Sequence, residues 1–157
     1  MKKRQEEFEL VVAIDPGTTH SAFVIMCKPL DCIVEFGKMA NEDLLKHLRS
    51  KKFYFNLVIE EIQSYGMPVG KTVFDTCIWT GRFLQGLGGS NESLIPRRTV
   101  KLHCTGSVKT TDKDVRSAML KRYPEAKEKG VTKDVWAALA LGSYYIDMRG
   151  EKYEKKV

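Results

Sequence analysis

No apolar run in the 157-residue chain approaches the roughly 20 residues that cross a bilayer, so no membrane-spanning helix is expected. The opening Met-Lys-Lys-Arg-Gln-Glu-Glu has no apolar stretch behind it, and no secretory signal is expected either. Four cysteines, Cys27, Cys32, Cys77 and Cys104, show no C-x-x-C spacing. That argues against a zinc site and suits reduced thiols in a cytosol-like compartment. Internal repeats, low-complexity segments and linkers are also missing, and the length fits one domain over residues 1–157 rather than two lobes. At 43% hydrophobic and 29% charged, the composition is that of a globular chain rather than a disordered one.

Charge is present, and it is unevenly placed. The formal net charge is +6, and residues 97–133 alone hold eleven Lys/Arg against four Asp/Glu. That quarter of the chain carries +7, while the remainder is close to neutral. A solvated helix face and a polyanion-binding edge both fit such a run, and charge alone does not choose between them.

Hydrophobic patterning predicts an α/β fold. Residues 8–15 form an apolar run ending in an acid, as in a central strand buried on both faces. Two further strands are expected at 21–27 and 32–37, joined by the turn Lys28-Pro29-Leu30-Asp31. A helix over 42–51 capped by Asn41, a strand over 55–60 and a helix over 69–87 follow. Residues 88–98 read as a loop, 99–104 as a fifth strand, 112–122 as a basic helix and 132–148 as the last helix. A charged tail begins at Arg149. Strands first, then helices and strands in alternation, imply one mixed sheet.

Three acids fall at informative places. Asp15 closes the first strand, Glu60 closes the fourth with Glu61 beside it, and Asp134 opens the last helix. Ligands of open α/β sheets collect beyond the carboxyl ends of strands. Carboxylates gathered there repel one another unless a cation compensates, and oxygen ligands suit Mg²⁺ or Mn²⁺. Each acid also has a plainer reading. Asp15 before Pro-Gly suits a turn, one of Glu60 and Glu61 faces away from the other, and Asp134 complements a helix dipole with Thr132 as cap.

Taken together, the motifs resemble the RuvC-type Holliday junction resolvases of the ribonuclease H-like superfamily, especially their phage-encoded branch. Ala13-Ile14-Asp15-Pro16-Gly17-Thr18 resembles the family's first-strand motif, and Val58-Ile59-Glu60-Glu61-Ile62 its fourth-strand motif. Gln63-Ser64-Tyr65-Gly66-Met67, with Val69-Gly70-Lys71 and Phe74, is similar to the helix entry of the phage proteins. Lys133-Asp134-Val135-Trp136-Ala137-Ala138-Leu139-Ala140 is similar to the last-helix motif. The resemblance implies a ribonuclease H-like five-stranded mixed sheet flanked by helices on both faces. It also implies a homodimeric endonuclease that cuts branched DNA such as four-way junctions or forks, in the cytoplasm of a bacterium or a phage-infected host.

Carried over residue by residue, Asp15, Glu60 and Asp134 would hold Mg²⁺, as two ions with Mn²⁺ as substitute, and Lys113 would stand near the scissile phosphate. Lys101 matches another basic DNA contact of the family, with one residue of spacing different. The basic segment 97–133, Lys109 and Arg116 included, would bind DNA arms largely through phosphates. One departure concerns metal: the family's second acid, one turn after Asp134, is here Ala137, leaving Glu61 or Asp112 as substitutes. Another is Gln63, where cellular members often place an aromatic. Tyr65 is then either a stacking residue or a core tyrosine.

The helix over 69–87 is apolar most of the way round, with Val69, Val73, Cys77 and Leu84 on one stripe and Phe74, Ile78, Trp79 and Phe83 on the rest. Such a helix is covered on both sides, by the sheet and by either a second subunit or a neighbouring helix. Two rival functions remain. Asp15–Thr19 also resembles the first phosphate loop of actin-like ATPases, but the chain lacks a second glycine-rich motif and a second lobe. A catalytically silent junction-binding protein would keep the basic edge without turnover.

Overall fold

The computed structural model describes residues 8–88 and 92–154. In chain order the elements are β1 (Glu9–Asp15), β2 (His20–Lys28), β3 (Cys32–Ala40), α1 (Asn41–Arg49), β4 (Asn56–Glu61) and α2 (Lys71–Leu87). There follow β5 (Glu92–Pro96), α3 (Arg97–Thr105), α4 (Asp112–Arg122), the short α5 (Glu125–Glu128) and α6 (Val135–Glu154). The strands form one sheet in the order β3-β2-β1-β4-β5. β1 runs antiparallel to β2 and parallel to β4, and β5 continues the parallel side.

The apolar run of β1 is buried on both faces because alternate residues enter different cores. Val11 and Ala13 join Val24, Met26 and Val58 under α3, α4 and α6. Val12 and Ile14 join Phe23, Ile25, Leu57 and Ile59 under α1 and α2. This is the two-residue period of a central strand written into side-chain packing. Gly142 lets α6 lie close on the sheet: a Cβ there would stand 2.6 Å from Met26 Sδ and 3.4 Å from Ala13 Cβ.

Four expectations are corrected. Residues 99–104 are helical, within α3, and the fifth strand lies earlier, at Glu92–Pro96, inside the segment read as a loop. Asn41 does not cap α1; it is the helix's first residue and is buried, with Ala40 at the cap position. The last helix begins at Val135, leaving Asp134 in the preceding turn, and continues through Arg149 to Glu154 in place of a tail. In α2 the inward side is built by Thr76, Trp79, Phe83, Leu84 and Leu87, whereas Cys77 is exposed. α1 packs on α2, with an Arg82–Glu42 ion pair at 2.9 Å, while Phe74 and Ile78 remain 58% and 59% exposed.

Candidate active site

Strand register assembles the site. Ile14 pairs with Ile59, so Asp15 and Glu60 emerge side by side at the carboxyl ends of two parallel strands. On the next strand Glu60 pairs with Ile95 and Glu61 with Pro96, and Arg97 follows directly as the first residue of α3. α6 packs across β1, β2 and β4, bringing Asp134 to the same edge. α4 starts with a capping box. Thr111 Oγ1 accepts from the Asp114 amide at 3.3 Å, and the Asp114 carboxylate accepts from the Thr111 amide at 2.9 Å. That fixes Asp112 and Lys113 in the first turn.

Asp15, Glu60, Asp134, Asp112, Lys101, Lys113 and Arg116 line a single cleft of about 680 Å³, whose floor includes Val100, Val115, Trp136 and Ala137. Arg116 lies 5.5 Å above the Trp136 ring centre. A smaller cleft of about 330 Å³ shares Asp15 and Asp134 and is lined by the β1–β2 loop and Lys38. That loop is pinned from behind. The Gly17 amide donates to Ser21 Oγ at 3.0 Å, Ser21 Oγ donates to Asn41 Oδ1 at 2.6 Å, and Asn41 Nδ2 donates to the Gly17 carbonyl at 3.0 Å. The Asn41 amide also donates to the Thr19 carbonyl at 2.9 Å. Gly17 has no room for a side chain, since a Cβ would stand 2.2 Å from the His20 carbonyl oxygen.

The acids are electrically strained. Burial pushes Asp15 up to about 8, helped by the Glu60 charge, a shared Asp15–Glu60 hydrogen bond and the Asp134 charge, with Arg97 opposing. A cation at this edge would offset that repulsion and favour the carboxylate form of Asp15. Glu60 is only 12% exposed and lies 3.7 Å from Arg97 Nη1. Asp112 meets Arg97 Nη2 at 2.7 Å and Lys101 Nζ at 3.4 Å, and these partners, Arg97 foremost, hold its carboxyl below the usual range. Asp134 is ion-paired with Lys38.

Carboxylate oxygens gathered at one buried edge suit a hard divalent cation. With the side chains set in this way, no three of the His, Cys, Asp or Glu among the described residues stand close enough to hold one. Lys38 and Arg97 already engage two of the acids. Binding an ion would require those acids to turn away from their lysine and arginine.

Other sequence-predicted residues lie apart. Glu61 sits outside both clefts and accepts from Gln63 Nε2 at 3.4 Å. Lys109 is exposed and lines neither cleft. Tyr65, at φ 50° and 55% exposed, is not a core tyrosine, and it also lies outside the clefts. Two site cations were not singled out from the sequence. Arg97 follows a strand, Glu92–Pro96, whose residues carry a loop-like pattern, and Lys38 meets Asp134 only through the tertiary fold.

The five-stranded mixed sheet in the order β3-β2-β1-β4-β5, with helices on both faces, is a ribonuclease H-like fold. No family model and no curated protein matches the chain. Among solved structures it is similar to that of Thermus thermophilus RuvC, with a TM-score of 0.65 at 14% identity, covering 88% of this chain and 96% of that one. It is equally similar to T. thermophilus RuvC in complex with Holliday junction substrate, with a TM-score of 0.65 at 14% identity, covering 89% and 96%. The fold is thus RuvC-like over nearly the whole chain.

Proposed function

We propose that the protein is a divalent-metal-dependent endonuclease acting on branched DNA. The observation that carries this reading is the joining of Asp15, Glu60 and Asp134 to Lys101, Lys113 and Arg116 in one cleft of a RuvC-like fold. Asp15, Glu60 and Asp134 would hold Mg²⁺, or Mn²⁺ in its place, which when bound supplies Lewis acidity and an activated water. Asp15 would orient the attacking water beside Glu60. The water oxygen bonds to phosphorus as a bridging P–O bond breaks, and one water proton ends on the departing oxygen. Lys113 stabilises the charge that develops on the phosphate. Lys101 and Arg116 hold the DNA backbone in register, Lys109 extends the basic surface outside the cleft, and Tyr65 is free to stack on an unpaired base.

The exposed apolar face of α2, with Phe74 and Ile78, is assigned to a homodimer that presents two such sites to a two-fold junction. No described helix is long and apolar enough to cross a membrane, and a nuclease of this kind would work on DNA in the cytoplasm of a bacterium or a phage-infected host.

A nicking assay on a synthetic four-way junction, with Mg²⁺, Mn²⁺ or EDTA, tests this reading. The wild type cuts the junction only with metal, and Asp15→Asn abolishes cutting while junction binding persists. Normal cutting by that variant would place the chemistry elsewhere. A second reading, junction binding without turnover, is favoured by one observation: Lys38 and Arg97 already neutralise two of the acids. It predicts junction binding with no metal-dependent nick.

A further inference from the structure

Among the described residues lining the cleft, Arg97 is the arginine paired with its acids. Nη1 lies 3.7 Å from Glu60 Oε1 and Nη2 2.7 Å from Asp112 Oδ1, and its charge acts on Asp15 as well. The 3.7 Å separation is longer than a hydrogen bond, so Glu60 attracts the guanidinium without locking it. Asp112 is 73% exposed, and an ion pair that open to water is a weak restraint. Arg97 therefore stands beside the acids with its side chain 43% exposed, able to turn an N–H edge to an anion.

The supply of ligands on that side of the cleft is small. Two divalent ions that clamp a phosphodiester stand about 3.5–4 Å apart, and each needs oxygen ligands of its own. Beyond Asp15, Glu60 and Asp134, the carboxylate lining the cleft is Asp112, and Lys101 stays beside it at 3.4 Å when Arg97 turns to an anion. Position 137 lines the cleft with a methyl group. The ligand count suits one ion, and a fixed cation already occupies the Glu60–Asp112 side.

We propose that Arg97 is the site's second cation: Asp15, Glu60 and Asp134 hold a single divalent ion, and the Arg97 guanidinium grips the phosphate oxygens from the other side. A guanidinium is planar, permanently charged and shaped to bind phosphate through two N–H groups. It brings one positive charge that does not depend on metal concentration. The role of Arg97 is electrostatic and adds no bond-making step of its own. The inference rests on the nuclease reading above.

The test pairs calorimetric titration of Mn²⁺ into the DNA-free protein with single-turnover cleavage of a four-way junction over a range of Mn²⁺. The wild type binds one Mn²⁺ per chain, and its cleavage rate rises to a plateau with first-order dependence on the metal. Arg97→Ala keeps that single Mn²⁺ site while the plateau rate falls roughly 100-fold, as for loss of one preorganised donor. Arg97→Lys recovers part of the rate, whereas a merely structural role would show as a lowered melting temperature in both variants. Two Mn²⁺ per wild-type chain at concentrations that support cutting, or Arg97→Ala cutting at a rate close to wild type, overturns the assignment and leaves the nuclease reading standing. A wild-type protein that binds no Mn²⁺ and cuts nothing overturns both.

Discussion

Replacing Asn41 with alanine should weaken the fold and loosen the loop behind Asp15 together. Asn41 and Ser21 are each 1% exposed. The Asn41 side chain accepts from Ser21 Oγ at 2.6 Å and donates to the Gly17 carbonyl at 3.0 Å. Truncation removes both bonds and leaves a buried hydroxyl and a part-buried carbonyl without those partners. An abandoned buried polar group costs about 1–3 kcal/mol; with the Gly17 carbonyl partly wet, the sum is roughly 2–4 kcal/mol. For a domain of this size each kcal/mol lowers Tm by about 2–4 °C, so the Tm should drop by roughly 4–16 °C.

Ser21→Ala removes one of the same bonds, so the double variant should be less damaging than the sum of the singles, with a coupling of about 0.5–3 kcal/mol. Urea unfolding of the four proteins measures the stability losses and the coupling, and a thermal melt measures the Tm. An Asn41→Ala protein within about 0.5 kcal/mol of wild type, or strict additivity with Ser21→Ala, would refute the claim that this pair pins the loop.

Two further outcomes are expected. Burial works to raise Asp147, but hydrogen bonds from Arg122 and His103 outweigh it and hold the carboxyl below its ordinary value. A lowered folded value gives stability that is present above the unfolded Asp value, about 3.9, and lost as pH falls through the folded one. Asp147→Asn should therefore lower stability at pH 7 and flatten its decline below about pH 4; an acid limb parallel to wild type would contradict the network. On the outer face of α2, Ile78→Glu should convert a dimer to a monomer in sedimentation equilibrium while changing monomer stability by no more than about 0.5 kcal/mol. A wild type that stays monomeric at the highest concentrations removes that face from the interface.

Much of the fold was legible because β1 and β4 announce themselves: apolar runs that end in Asp15 and Glu60 have few alternatives to central parallel strands. Asp134 was legible as the acid just before a helix whose first seven residues, Val135 to Leu141, are all apolar. The edge strand was not. Glu92–Pro96 is short, half polar and ends in proline, whereas Val100, Leu102 and Cys104 alternate like a strand. Val100 and Cys104 are also four apart, and in α3 those two face the core while Leu102 is 51% exposed. Both periods fit the same letters, and the packing of α3 against α4 and α6 decides. Asn41 looked like a cap because its type favours one, but a buried Ser21 and an open Gly17 carbonyl claimed its side chain. Arg97 and Lys38 acquire their meaning only from partners distant in sequence.

The passage from β5 into α3 has no intervening residue: Pro96 ends the strand and Arg97 begins the helix. The reach of Arg97 toward Glu60 is therefore metered by strand pairing rather than by a loop. A two-residue slip of β5 along β4 would preserve which side chains face the core, yet carry Arg97 about 6–7 Å along the sheet. The outermost strand, which contributes little to either core, thus acts as the ruler that sets where the fixed positive charge stands.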